Sequence, residues 1–179
     1  MSYPCPKGHD SPNPVQCPRC GTMLVPLPDF GTRRGTDPMP FEAVIDADRD
    51  FYDRLGNAVG GDDPIPFPPH APRRVVPLER QVVYIGRSDP GEAGPRPPID
   101  LGEVPAADLG VSRRVHAILK RYGDDWTVHD TGSANGTRVD GQKLERNIET
   151  PLRPDSVIHI GLWTAIRVRE RSTGGEAGL

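Results

Sequence analysis

The chain has 179 residues and a formal net charge of −3, which allows one ordinary domain with attachments or two very small ones. It contains 20 glycines and 22 prolines, roughly twice the average usage, and only 35% hydrophobic residues. No stretch approaches the roughly 18 apolar residues of a membrane span, and the N-terminus lacks the basic flank and apolar run of a secretory signal. These features predict a cytoplasmic, partly disordered protein with a modest folded domain and no membrane partner.

The first predicted unit, residues 3–21, carries all three cysteines. The spacing is Cys5-x3-His9 followed by Cys17-x2-Cys20, and three sulfurs with one imidazole would complete the tetrahedral shell of a structural zinc ion. The alternatives are a redox dithiol or ordinary thiols, but the proline-rich flanks differ from the strand-to-helix turn of a redox motif. The segment resembles a truncated zinc ribbon, which implies one structural Zn²⁺ held by Cys5, His9, Cys17 and Cys20.

Residues 22–72 are rich in Pro, Gly and Asp, and we predict a flexible linker with polyproline character at 62–69. One stretch within it, 41–52, could form a marginal helix or pair with a partner, but it has too little apolar surface to fold alone. The last residues, 172–179, are predicted to be a disordered tail. The organisation is thus a knuckle, a linker, one domain and a tail.

The domain is predicted over residues 73–171, where short β-type runs alternate with turn residues. The runs are 75–78, 80–85, 99–101, 116–122, 126–129, 137–139, 157–160 and 163–169. No helical period of comparable strength appears there, so the pattern predicts an all-β fold, a sandwich of antiparallel strands. Because the strand patterns and both tryptophans lie inside this range, we expect it to fold without residues 1–72.

Three loops between these runs carry polar residues that suit an anion. The loops are Gly86-Arg87, Ser112-Arg113-Arg114-Val115-His116 and Ser133-Ala134-Asn135-Gly136-Thr137. Taken singly each signal is weak, because arginines at strand ends are usually solvated and Asn-Gly most often marks only a tight turn. In this order, however, the loops resemble the forkhead-associated (FHA) domain, a β-sandwich that binds phosphothreonine peptides, over about residues 74–170.

The resemblance implies a role for each loop residue. Arg87 would give the phosphate a forked pair of hydrogen bonds, Ser112 a hydroxyl, and Arg113 or Arg114 a second cation. Asn135 would bind the main chain of the peptide. The residues that would shape the binding loops without touching the ligand are Gly86, His116, Ser133, Gly136 and Thr137.

One spacing departs from the family, which usually places its histidine three residues after the serine, whereas Ser112 and His116 are four apart. One extra residue reverses the side-chain face in a strand. Either a bulge at Arg114-Val115 absorbs it, or Ser112 is displaced and an arginine dominates the phosphate contact. The long loop from Asp89 to Gly110 either shapes peptide choice or is an insertion tolerated at the surface.

We therefore predict a phosphothreonine-dependent adaptor that recruits partners of a Ser/Thr kinase pathway. The alternative is a zinc-ribbon protein of nucleic-acid or transcription complexes with the β domain as a scaffold, but only Lys7 and Arg19 are basic within residues 1–21. No nucleophile–His–acid set stands in matching loops, so we do not expect an enzyme. The resemblance also makes capture of the chain's own phosphorylated Thr32 or Thr36 conceivable.

Overall fold

The structure is a computed structural model that describes residues 3–4, 9–12, 17, 19, 41–55, 65–89, 91, 96–103 and 106–171. Its strands are β1 Tyr3–Pro4, β2 Asp10–Ser11, β3 Phe41–Ala47, β4 Arg74–Pro77, β5 Val82–Gly86, β6 Ile99–Asp100, β7 Ala117–Tyr122, β8 Asp125–Asp130, β9 Thr137–Val139, β10 Gln142–Lys143, β11 Thr150–Leu152, β12 Ile158–Ile160 and β13 Thr164–Glu170, and helix α1 is Arg49–Leu55. In the described part of the chain, no helix has both the length and the apolar character needed to cross a membrane.

Two sheets form the β domain. The six-stranded sheet has the order β10-β9-β12-β13-β3-β4 and the five-stranded sheet the order β11-β8-β7-β5-β6. All pairs within them are antiparallel except β5 with β6. The prediction of an all-β fold of antiparallel strands is therefore confirmed. A separate two-stranded pair, β1 with β2, lies near the N-terminus.

One hydrophobic core joins the inner faces of the two sheets. From the six-stranded sheet it contains Phe41, Ala43, Ile45, Val139, Ile158, Ile160 and Ile166, and from the five-stranded sheet Val83, Ile85, Ile99, Ala117, Leu119, Trp126 and Val128. The residues alternate along each strand, as expected when one face of a strand is buried. In β8, for example, Trp126 and Val128 are buried while Thr127 and His129 are partly exposed.

The prediction of a linker through residue 72 is wrong for residues 41–55. β3 pairs with β13 over its whole length, from Phe41 opposite Glu170 to Ala47 opposite Thr164. Its short apolar pattern cannot fold alone, but the chain's own β13 and β4 supply the partners that complete it. Within the described residues, the sandwich therefore includes β3 from Phe41 on, well before Arg73. The residues between 20 and 40, which include Thr32 and Thr36, and the predicted tail lie outside the described residues.

Helix α1 and the segment that follows it pack beside Trp163. Asp48 caps the helix, because its Oδ1 accepts a hydrogen bond from the Phe51 N–H at 2.8 Å. The Tyr52 hydroxyl donates to the Ile65 carbonyl at 2.8 Å. The rings of Tyr52, Phe67 and Trp163 lie 5.4–6.2 Å apart, centroid to centroid. This small aromatic cluster fixes the connection between β3 and β4 onto the sandwich.

Candidate functional site

The three predicted loops meet at one end of the five-stranded sheet. In its register Ile85 lies opposite Ala117, and Ala117 opposite Asp130, so the loops that follow β5, precede β7 and follow β8 are neighbours. Beyond the strands, Arg87 and Arg113 form an isolated parallel bridge. The Arg87 N–H donates to the Ser112 carbonyl at 3.1 Å. Backbone pairing therefore holds Arg87, which follows β5, against the loop that contains Ser112.

Two arginines converge on one carboxylate in this region. The Arg87 guanidinium forms an ion pair with Asp89 and has a side chain only 15% exposed. Its Nε donates to the Val111 carbonyl at 3.2 Å. Arg113, whose side chain is 67% exposed, lies with Nη1 3.4 Å from the other oxygen of Asp89. Two cations from adjacent segments thus share one anion at the loop end.

The extra residue between Ser112 and His116 is accommodated at Arg114. Arg114 has φ +64°, a left-handed conformation that non-glycine residues rarely adopt. It lets the Val115 N–H donate to the Arg113 carbonyl at 2.8 Å and the His116 N–H rejoin β5 at the Ile85 carbonyl at 2.7 Å. The bond from Val115 to Arg113 closes a γ-turn centred on Arg114, so a turn before β7, and not a bulge within a strand, accommodates the extra residue. Gly86 faces it closely, since a Cβ at Gly86 would collide with the Arg114 carbonyl.

The ring of His116 joins two of the loops. It is completely buried; its Nδ1 accepts from the Ser112 N–H at 2.9 Å, so Nε2 carries the proton and donates to the Gly136 carbonyl at 3.2 Å. Burial lowers the pKa of His116 despite the nearby Asp130 carboxylate, which acts in the opposite direction. The neutral imidazole is therefore a cross-link within the scaffold of the site.

Asn135 reaches the same central loop as Arg87. Its Nδ2 donates to the Gly110 carbonyl at 2.7 Å, while Arg87 donates to the carbonyl of the next residue, Val111. The two side chains predicted to contact the ligand are thus anchored to consecutive peptide units. The Ser112 side chain is half-buried, and no hydrogen bond from its hydroxyl occurs within the described residues.

Sequence reasoning missed three buried aspartates that hold these loops. Asp130 accepts hydrogen bonds from the N–H groups of Gly132 and Ser133, both at 2.8 Å, and from the hydroxyls of Ser133 at 2.5 Å and Thr137 at 2.7 Å. Burial acts to raise its pKa, but these hydrogen bonds outweigh it and the pKa is lowered. Ser133 and Thr137 therefore act through Asp130.

Asp108 connects the long loop to the turn before β13. It is completely buried and accepts hydrogen bonds from the N–H groups of Leu162, Trp163 and Thr164 at 3.0–3.2 Å and from the Thr164 hydroxyl at 2.8 Å. It also accepts from the Gly110 N–H at 3.0 Å. Gly110 in turn binds Asn135, so Asp108 links the binding loop to the six-stranded sheet.

Asp100 fixes the chain beside Arg87. Its carboxylate accepts from the N–H groups of Ser88 and Gly102, both at 2.9 Å, and from the Ser88 hydroxyl. Burial acts to raise the pKa of Asp100, but the hydrogen bonds from Ser88 and Gly102 lower it overall. An aspartate followed two residues later by glycine, as in Asp108-Leu109-Gly110 and Asp130-Thr131-Gly132, was the available sequence signal.

The predicted zinc ligands are only partly within the described residues. His9 Nδ1 and Cys17 Sγ lie 3.7 Å apart and Cys17 is completely buried, whereas Cys5 and Cys20 lie outside the described residues. Among the residues that the structure does describe, no group of three His, Cys, Asp or Glu side chains is placed to hold a metal ion.

Comparison with known proteins finds a family match for this part of the chain. Residues 83–161 match the family model of the FHA domain. FhaB, an FHA domain-containing protein of Mycobacterium tuberculosis, is 34% identical over 94 residues, which are 52% of this chain and 51% of FhaB. The chain thus matches about half the length of the curated relatives.

Two solved structures are similar to this chain, and the first of them agrees with its fold. The solution structure of the FHA domain of an Arabidopsis thaliana hypothetical protein has 20% identity and a TM-score of 0.50, covering 80% of this chain and 98% of that domain. Mycobacterium tuberculosis EmbR, in complex with a low-affinity phosphopeptide, has 20% identity and a TM-score of 0.44, covering 74% of this chain and 26% of EmbR. Within the sandwich, the match to the FHA domain family covers residues 83–161.

Proposed function

We propose that this chain is a phosphothreonine-peptide-binding adaptor in Ser/Thr kinase signalling, and a binding module, not an enzyme. The observation that supports this most directly is the convergence of Arg87 and Arg113 on one anionic group at the loop end. An FHA domain match covers the loops that carry both residues. The partners would be proteins that carry a phosphorylated threonine.

The chemistry of the ligand fits this arrangement. A phosphothreonine carries about −1.5 to −2 charges and three acceptor oxygens at neutral pH, so it can satisfy two guanidinium groups at once. Arg87 would supply the forked contact from a half-enclosed position and Arg113 the second cation. Ser112 would add its hydroxyl, and Asn135, held by Gly110, would direct the peptide main chain.

The alternative of a nucleic-acid protein has less support. The chain carries a net charge of −3, and the cations of the site already face a carboxylate. Nucleic-acid binding usually needs a basic surface that neutralises several phosphates. A site for a single phosphate group requires only the two arginines.

The test is calorimetric titration with paired peptides that differ only in phosphorylation of one threonine, using a library to find a binding sequence. Arg87→Ala should weaken phosphopeptide binding about tenfold to a hundredfold, because hydrogen bonds to charged groups contribute roughly 1.5–3 kcal/mol each. Ser112→Ala should weaken phosphopeptide binding by a smaller factor. The matched control is Arg169→Ala, an exposed arginine at the far end of β13, which should leave binding unchanged. Equal binding of the unphosphorylated peptides would contradict the proposal.

We also propose that Cys5, His9, Cys17 and Cys20 hold one structural zinc ion. The distance of 3.7 Å between His9 Nδ1 and Cys17 Sγ supports binding of both atoms to the same ion. Cys5 directly follows β1 and His9 directly precedes β2, so the first two ligands flank the connection of a paired hairpin. Metal analysis of protein purified without chelator should give about one zinc per chain. Stoichiometric zinc in Cys17→Ser would rule the site out.

A further inference from the structure

Asp89 occupies a position that the proposed ligand needs. Its two carboxylate oxygens face different arginines, Oδ1 towards Arg87 and Oδ2 towards Arg113. These are the two cations that the phosphate would bind, and the side chain of Asp89 is itself only 32% exposed. The free protein therefore holds an anion of its own between the guanidinium groups.

We propose that Asp89 is an internal competitor of the phosphate and sets the affinity that any anion must exceed to occupy the site. This inference rests on the proposed function of the same site. A bound phosphate must displace the Asp89 carboxylate from both arginines. The residue before it is anchored, since Ser88 donates its N–H and hydroxyl to Asp100, so Asp89 can leave by rotation of its own side chain while the strand end stays in place.

The exchange favours phosphate over carboxylate. With Asp89 in place, the two guanidinium groups and one carboxylate leave a single positive charge in the site. A glutamate side chain from a partner would replace one carboxylate with another and gain little, while association still costs translational and side-chain entropy. A phosphate carries about twice the charge of a carboxylate and has three oxygens. Replacing the Asp89 carboxylate with a phosphate is therefore favourable. Asp89 thereby keeps ordinary acidic segments out of the site.

The experiment compares Asp89→Asn with the wild-type chain, using one phosphothreonine peptide, the same peptide with glutamate at that position, and inorganic phosphate alone. Asp89→Asn should bind the phosphopeptide about three- to tenfold more tightly. The glutamate peptide should gain by a similar factor, because both ligands displace the same carboxylate, and it should become measurable. Asp89→Glu, which keeps the charge, should remain close to wild type.

The matched control is Asp124→Asn, which removes the same charge at the opposite end of β7, about 20 Å away. Its side chain is 91% exposed, and binding should not change. Unchanged or weaker phosphopeptide binding by Asp89→Asn, with the same thermal unfolding as wild type, would overturn the proposal. If Asp89→Asn unfolds early, Asp89→Ala removes the same carboxylate and provides the comparison, with Asp89→Glu as the variant that keeps the charge.

Inorganic phosphate separates this inference from the proposed function. Titration followed by NMR shifts of the loop amides should give tighter phosphate binding to Asp89→Asn than to wild type, even if no phosphothreonine peptide binds either protein. If neither protein binds a phosphothreonine peptide but Asp89→Asn binds inorganic phosphate more tightly than wild type does, only the proposed function is refuted. Equal phosphate affinity of the two proteins would refute the role of Asp89.

Discussion

The loop end of the sandwich and the segment from β3 to β4 are held in place by different forces. At the loop end, buried polar side chains such as Asp108, His116 and Asp130 satisfy the backbone N–H groups of neighbouring loops. In the other region, β3 is held by ladder pairing and core burial, and α1 by contacts among aromatic rings. The polar cross-links depend on side chains that occur in short local sequence motifs. The pairing of β3, in contrast, depends on β13, a partner more than 100 residues away.

Loss of the polar cross-links and loss of the β3–β4 packing should affect stability and binding differently. Cross-links at the loop end fix the geometry of a few atoms, so their loss should change binding as well as folding. Packing in the β3–β4 region completes the sheet and closes the core, so its loss should change folding and leave the site chemistry intact. Four predictions, from the largest effect to the smallest, test this division.

Removing residues 1–72 should abolish cooperative unfolding, whereas a chain of residues 41–171 should retain it. The shorter fragment loses Phe41, Ala43 and Ile45 from the core and leaves β13 and β4 without the strand that lies between them. Thermal unfolding followed by tryptophan fluorescence measures both fragments. A cooperative transition of the 73–171 fragment within a few degrees of the longer one would show that β3 is dispensable.

Asp108→Asn should destabilise the fold by about 3 kcal/mol or more, since one acceptor oxygen becomes an amide group that faces buried N–H donors. Both oxygens of Asp108 accept from Leu162, so neither orientation of the amide avoids the conflict. Urea unfolding measures the change. Asp124→Asn is the matched control and should stay within about 0.5 kcal/mol of wild type. A small effect at Asp108 would mean that the loop does not depend on this cross-link.

Stability should fall as the pH drops below the ordinary His pKa of 6.5. The folded-state pKa of His116 is lowered by burial, so in this range the unfolded chain binds a proton that the folded chain does not. The slope is at most about 1.4 kcal/mol per pH unit for one histidine. His129 contributes with the same sign, because burial lowers its pKa too.

His116→Gln should therefore flatten the profile just below pH 6.5. Urea unfolding at a series of pH values measures the slopes. Equal slopes for wild type and His116→Gln would show that the folded-state pKa of His116 is not lowered. Below this range, protonation of Asp100 and Asp130 removes further stability, because their folded-state pKa values are also lowered.

Tyr52→Phe should have the smallest effect, a loss of about 0.5–1.5 kcal/mol in the free energy of unfolding. It removes the hydrogen bond to the Ile65 carbonyl and keeps the ring contacts with Phe67 and Trp163. Phosphopeptide affinity, measured by the same calorimetry, should stay at the wild-type value. A matching loss of affinity would show that the β3–β4 region and the loop end are coupled.

Much of the domain was predictable because the sequence patterns that mark its strands and loops are local. The runs at 137–139 and 116–122 predict β9 and β7 to within one residue, since alternating apolar residues and bounding turns mark a half-buried strand. Arg87, Ser112 and Asn135 stand in short motifs at strand ends, and register brings strand ends together. The sequence alone thus determined the sandwich and the location of the candidate site.

Tertiary structure decided what depends on distant partners. β3 is only seven residues long and cannot be stable by itself, so its pairing with β13, more than 100 residues away, makes it a strand. The turn at Arg114 lets His116 return to β5 while Arg113 still pairs with Arg87, and both of these partners are distant in the sequence. Asp89 lies two residues from Arg87, but it meets Arg113 only after the two loops have been brought together. Local propensity predicts a strand or a turn, but long-range pairing and burial decide which side chains meet.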